Sequence, residues 1–272
     1  GFKSIFLPWY VRPERDAAWF ERETKDMPSW QRQGEYPATE DEMLSTLLTR
    51  KFFNENALDD MRGDVSKPIE HELSAKYQGL VKIFRLPVVG KKYYGFTDPS
   101  DGKDDPHAST WHDRQTGEQV ATSHGKVTAD VCAMIHDDLS RLYFKAFNSY
   151  ELNARAGGIF SQKLEELGTL NRCQFVNTDG KLNPKKYGWW TGNKLRRDMF
   201  WGLEEDIRLY KTKLNDIRFI DELKGIVQPE GEDPRAPRGG HDDCIIACGG
   251  ASAIAKYMPA GGMKISSFEY SD

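Results

Sequence analysis

No apolar run in this 272-residue sequence approaches the roughly 20 residues that a helix needs to cross a bilayer. No charged-then-apolar secretory start opens it either, so no membrane partner is expected. Cysteine is scarce: Cys132, Cys173, Cys244 and Cys248 contain no CxxC pair, which argues against a cysteine zinc site or a disulfide framework. Cys244 and Cys248 stand four apart, on one buried face of a helix, as suits a reducing cytoplasm. There is no GxxxxGK[ST] phosphate loop, so ATP hydrolysis is not expected from these residues. Internal repeats and low-complexity tracts are missing, which excludes a solenoid. Positive charge is not in excess: 38 Lys and Arg face 42 Asp and Glu, for a net charge of −4. That is not the footprint of a protein that holds nucleic acid by charge alone; it favours a transient encounter that relies on local basic residues and metal ions. The chain opens at Gly1 without Met, as expected of a piece of a longer protein or a tag remnant.

What is present reads as an α/β pattern. Residues 1–80 read as helices and loops, with FLPWYVRPE rich in aromatics and prolines. Thr39 and Glu42 form a capping box that starts a helix near Glu40 and carries it through EYPATEDEMLSTLLTRKFF. From residue 81 the pattern changes. VKIFRLPVV and KKYYGFTDPS have the β-branched and aromatic content of strands. ASTWHD and EQVATS flank the turn RQTG as a hairpin. Val131, Met134, Ile135, Leu139 and Leu142 recur at helical spacing, and FKAFNSYE reads as a further strand. Helices are expected beyond Asn153, from about Thr191 through KLRRDMFWGLEEDIRLYKTKL, and over HDDCIIACGGASAIAKY. PEGEDPRAPRGG reads as a loop. Strand, hairpin, helix, strand, helix is an alternation built around a central sheet.

Carboxylates stand at the edges of these elements. Asp98 ends one strand, Glu151 ends another, and Asp242 with Asp243 opens the last helix. Mg²⁺ and Mn²⁺ prefer oxygen ligands of this kind, and three such groups at neighbouring strand ends can hold two ions. Each acid alone also has an ordinary explanation, as a turn former, an exposed strand end or an N-cap. Only the fold can bring them together.

In order along the chain, YYGFTDPSDGKDDPHASTWHDRQTGEQVATSHGKV, SYELNARAGG, YGWWTGNKLRRDM and GGHDDCIIACGGASA resemble the nuclease domains of tailed-phage large terminases, a ribonuclease H-like family. FLPWYVRPE and EYPATEDEM resemble the junction that leaves the ATPase domain in the same proteins. The resemblance departs at Glu151, where some relatives carry Asp. It implies a ribonuclease H-like mixed sheet with helices on both faces over residues 81–272, preceded by a mainly helical linker over 1–80. It also implies endonucleolytic cutting of concatemeric double-stranded DNA with two divalent cations, Mg²⁺ or Mn²⁺. Asp98 would bridge both ions, with Glu151 on one and the Asp242/Asp243 pair on the other; which of the two neighbours ligates directly stays open. His241 would orient a carboxylate or contact a phosphate. The implied partners are duplex DNA, a small terminase subunit, the portal and the ATPase domain, at the procapsid in the host cytoplasm.

The richest basic and aromatic stretch is NPKKYGWWTGNKLRRDMFW. Lys185, Lys186, Lys194, Arg196 and Arg197 are the candidate phosphate contacts, with Lys103 in the loop after Asp98. At least one of Trp189 and Trp190 is expected to anchor the core. Two other readings stand beside this one: a junction resolvase or transposase core sharing the acids but not the upstream segments, and a non-catalytic docking module for portal or small subunit.

Overall fold

The computed structural model describes residues 5–25, 27, 32, 35–40, 42–43, 49–103, 105–176, 182–229, 232–237 and 240–259. After a 3-10 turn at Trp9–Val11 come α1 (Ala17–Thr24), β1 (Thr49–Lys51), α2 (Glu55–Gly63), α3 (Glu72–Lys76) and β2 (Val81–Ile83). Then follow β3 (Tyr93–Asp98), β4 (His107–Asp113), β5 (Gln119–Gly125), α4 (Ala129–Leu142), β6 (Phe147–Tyr150) and α5 (Ala154–Glu166). The last part holds β7 (Gln174–Val176), β8 (Leu182–Tyr187), α6 (Asn193–Arg208), α7 (Ile217–Gly225), β9 (Val227–Pro229) and α8 (Asp243–Ala255).

The central sheet has five strands in the order β2-β5-β4-β3-β6. β6 lies parallel to β3, and the other pairs are antiparallel. The mixed sheet and its two covered faces agree with the expected ribonuclease H-like architecture. Side chains alternate across a strand, and β3 shows which face is which. Tyr94 and Phe96 pack into the cluster containing Leu195, Met199, Ile246 and Ala247 of α6 and α8. Tyr93 packs into the opposite cluster with Ile135 and Leu139 of α4. Asp98 continues the even series and so belongs to the α8 face. On β6, Asn148 bonds His136 of α4 and Tyr150 packs with Phe160 of α5, which leaves Ser149 and Glu151 on the α8 face as well.

Glycine lets α8 lie close on this sheet. A β-carbon on Gly250 would fall 2.4 Å from the Phe96 ring, whereas one on Gly158 in α5 would meet nothing within 4 Å. Gly250→Ala should therefore lower stability by ~1–3 kcal/mol through overpacking. Gly158→Ala should be neutral or stabilising, since alanine favours helix by up to ~1 kcal/mol. Urea unfolding of both variants checks the pair; equal effects would contradict this packing.

Several expected boundaries move. The strand predicted over VKIFRLPVV is confined to Val81–Ile83. Phe144 and Lys145, at φ 55° and 57°, take the left-handed conformation, so β6 starts only at Phe147. The helix expected to run through Leu214 stops at Arg208, and Asp216 caps a separate α7 by accepting from the Arg218 amide. The β7–β8 hairpin and the β1–β9 pair were not expected. The Thr39–Glu42 box is present: Thr39 Oγ1 accepts from the Glu42 amide at 3.2 Å, and the Glu42 carboxylate accepts from the Ala38 amide at 2.7 Å. Residues 41 and 44–48 of the helix predicted there lie outside the described residues, and its far end is not helical: Thr49–Lys51 form strand β1. Within the stretch read as a linker, Phe52, Phe53, Ala57, Leu58 and Met61 join the same apolar cluster as α6, α7 and α8.

Candidate functional site

Parallel pairing sets the first two acids side by side. Thr97 of β3 is in register with Tyr150 of β6, and the Glu151 amide donates to the Thr97 carbonyl at 3.0 Å. Asp98 and Glu151 are thus the next residues at the same ends of adjacent strands, on the same face. Their side chains share a hydrogen bond, and the Asp98 carboxyl is held well above the usual carboxylate range. Burial is the main cause, followed by the Glu151 charge, that hydrogen bond, and the charges of Asp243 and Asp242. The other three acids predicted from sequence therefore all act on Asp98.

Other residues hold Glu151 in place. The Trp189 segment pairs alongside it: the Trp189 amide donates to the Tyr150 carbonyl, and the Leu152 amide to the Trp189 carbonyl, both at 2.8 Å. Asn153 then exchanges two side-chain bonds with the Thr191 backbone, at 2.9 and 3.0 Å. Gly157 of α5 lies against this corner, where a β-carbon would come within 2.7 Å of the Glu151 carbonyl oxygen. On the far side of β3, Thr97 Oγ1 meets His136 Nδ1 at 2.7 Å, and His136 Nε2 donates to Asn148 Oδ1 at 3.0 Å.

The third contribution comes from the start of α8. Asp243, in its first turn, is pushed up to about 6 by burial and by the charges of Asp242 and Asp105, with His241 partly offsetting them. His241 is exposed, its Nδ1 3.8 Å from Asp243 Oδ2. The Asp242 carboxylate is paired with the Arg196 guanidinium from α6. Among the described residues, no three His, Cys, Asp or Glu side chains already surround one point in ligand geometry. Asp98 and Glu151 face each other, and Asp242 faces Arg196. Yet Asp243 Oδ2 is a buried acceptor with no hydrogen-bond donor. A buried carboxylate oxygen left in that state is costly. Together with an all-oxygen donor set, it is what a hard divalent cation would complete.

The basic candidates are dispersed. Arg196 reaches the acidic site through Asp242. Arg197 turns instead to Asp233, with bonds of 2.8 and 2.9 Å. Lys103, Lys186 and Lys194 are exposed on the loop after β3, on β8 and on α6; the Lys185 side chain lies outside the described set. Trp189 is buried, as expected for one of the two tryptophans, while Trp190 is 46% exposed. Cys244 and Cys248 are buried, free thiols on α8.

One acid near the site had no signal in the sequence. Glu222 of α7 accepts the Cys244 amide at 2.8 Å, and its carboxyl is raised to about 7, chiefly by burial. In the sequence it reads as an ordinary charge on an amphipathic helix.

A central mixed sheet with carboxylates at the ends of its two parallel strands, and an acid-bearing helix across one face, is the ribonuclease H-like class of fold. Within that class, the chain has the fold of large-terminase nuclease domains. The large terminase nuclease of thermophilic phage G20c with bound magnesium matches it at a TM-score of 0.57 and 16% identity, over 75% of this chain and 96% of that one. The cobalt-bound form of the same nuclease matches at 0.56 and 16%, over 75% and 96%. The large terminase nuclease domain of Thermus phage P74-26 matches at 0.51 and 17%, over 76% and 98%. No protein-family profile matches the sequence, and no curated protein does.

Proposed function

We propose that this chain is the nuclease part of a phage large terminase, a metal-dependent endonuclease that cuts concatemeric double-stranded DNA during genome packaging. The observation that carries the reading is the strand register that sets Asp98 beside Glu151 at one edge of the sheet, with Asp242 and Asp243 close enough for their charges to act on Asp98. The terminase-nuclease fold supports it. So does the orphaned Asp243 Oδ2.

On this reading Asp98, Glu151, Asp243 and Asp242 would hold up to two divalent cations, Mg²⁺ or Mn²⁺. Such ions, when bound, activate water and offset charge on a phosphodiester's leaving oxygen. The protein's own contribution is positional. Asp98 and Glu151 are fixed by strand register, and Asp243 by helix α8. Asp242 would give up Arg196 to reach a cation, leaving that guanidinium for a phosphate oxygen. Arg197, Lys103, Lys185, Lys186 and Lys194 would position the DNA backbone without reading sequence, and His241 would orient Asp243 or meet a phosphate. The residues before the core would form the junction to an ATPase domain, with small subunit and portal as partners at the procapsid.

The test is cleavage of linear duplex DNA with Mn²⁺ or Mg²⁺, set against four-way junctions and RNA–DNA hybrids. Duplex cutting that stops with chelator is expected. A strong preference for junctions or hybrids would overturn the packaging role. Failure of Mn²⁺ to raise the melting temperature would overturn the metal role, because a ligand that binds only the native state must stabilise it.

A further inference from the structure

Among the described residues, several helices are capped by the residue preceding them. Asp16, Asn54, His71 and Asp216 each accept a backbone amide from the first turn of their own helix. Asp242 occupies the same position before α8 and is a residue type that favours it, yet its side chain makes no capping bond. The amide it would ordinarily satisfy goes elsewhere: Cys244, the second residue of α8, donates to Glu222 of α7 at 2.8 Å.

Glu222 can do this because α7 is tied to the sheet. Buried Asp216, at the start of α7, accepts from Lys82 Nζ of β2 and from Thr122 Oγ1 of β5, both at 2.9 Å. Its amide donates to Gln119 Oε1 at 2.9 Å. The same helix then presents Glu222, six residues further on, to the start of α8. The sheet that carries Asp98 thereby also sets where α8 begins.

We propose that Glu222 is a positioning residue that caps α8 in place of Asp242, leaving the Asp242 carboxylate off the helix end, beside Asp243 and paired with Arg196, where a cation can replace that partner. Without Glu222, that amide is left to the N-cap residue Asp242, whose side chain is 34% exposed and would make a looser cap. Its carboxylate would turn back onto its own helix and be lost to the site. The inference rests on the metal-dependent reading above, but its mechanical half can be read without any metal.

Three variants separate the possibilities. Glu222→Met fills the volume without an acceptor, Glu222→Asp keeps the carboxyl group but withdraws it by one methylene, and Glu222→Gln keeps an acceptor oxygen at full reach. Amide hydrogen exchange at Cys244, measured without metal, should be slow in the unaltered protein and in E222Q, and faster in E222M and E222D relative to neighbouring α8 amides. Titration with Mn²⁺, followed by melting temperature, should show the half-effect concentration rising ~10-fold or more in E222M and E222D, the range for loss of a residue that orients a metal ligand. E222Q should retain most of the response. Should E222M not fold, the E222D and E222Q pair decides the question. An unchanged Mn²⁺ response in E222D, with the unaltered protein responding, overturns the role of Glu222 alone. No response in the unaltered protein overturns the metal-dependent reading and, with it, the purpose assigned to the cap.

Discussion

Asp98→Asn should abolish cleavage while leaving the protein folded and, without metal, no less stable than before. The asymmetry follows from where the carboxyl sits. Burial and three neighbouring carboxylates hold Asp98 well above the usual range, so ionising it in the folded protein costs free energy. Asparagine has nearly the same shape and carries no charge, which removes that repulsion. The same charge density is what would attract cations, and the variant should lose the melting-temperature rise on Mn²⁺ addition. A bound cation contributes several kcal/mol of transition-state stabilisation. Losing ~4 kcal/mol corresponds to roughly a thousandfold in rate. Parallel melting curves and cleavage assays check both halves. Substantial Mn²⁺-dependent nicking by the variant would remove Asp98 from the mechanism. A large drop in metal-free stability would mean that the carboxylate is structural.

On top of the acid sensitivity from His107, His112 and His124, which burial also lowers to about 4, His136 should contribute one that a single substitution removes. The ring is fully buried between Thr97 and Asn148, and burial lowers its pKa from the ordinary 6.5 to about 4. Nε2 donates to Asn148 Oδ1, whose amide nitrogen is committed to the Ala146 and Leu170 carbonyls, so Nδ1 is left to accept from Thr97. Above pH 6.5 the histidine is neutral in both states and has no effect on pH dependence. Below it the unfolded chain takes up a proton that the folded chain refuses, so stability falls until about pH 4. The slope is ~1.4 kcal/mol per pH unit for one proton, and over this window it accumulates to about 3 kcal/mol. Asp98, Asp243 and Glu222, all raised, act in the opposite sense, because the folded protein holds their protons more tightly. The decisive measurement is therefore a difference. The stability of His136→Gln relative to the unaltered protein should climb as pH drops from 6.5 to 4. A flat difference would show that the buried ring is not the titrating group.

These two residues also show how much could be read in advance. Asp98 was legible because β3 ends in a turn signal, and a carboxylate at a strand end is a recognisable candidate. His136 was not, since its partners come from β3 and β6, 39 and 12 residues away along the chain. The β3–β4–β5 meander and α4 were legible for the same reason as Asp98. Each is long enough for a period of two or of 3.6 residues to stand out. β1 and β9 have three residues each and no such period, so only their mutual pairing reveals them.

Taken alone, the order of residues determined the longer local elements and the acids at their edges, because periodicity, caps and turns are properties of neighbouring side chains. It also determined that Trp189 or Trp190 would be buried, without saying which. The assignment came from alternation once that segment was paired beside β6. Only the tertiary structure placed Glu151 beside Asp98, turned both toward α8, paired Asp242 with Arg196, and brought Glu222 to the start of that helix. Those outcomes depend on strand register and on contacts between elements far apart in the chain, and neither is encoded within any single stretch of residues.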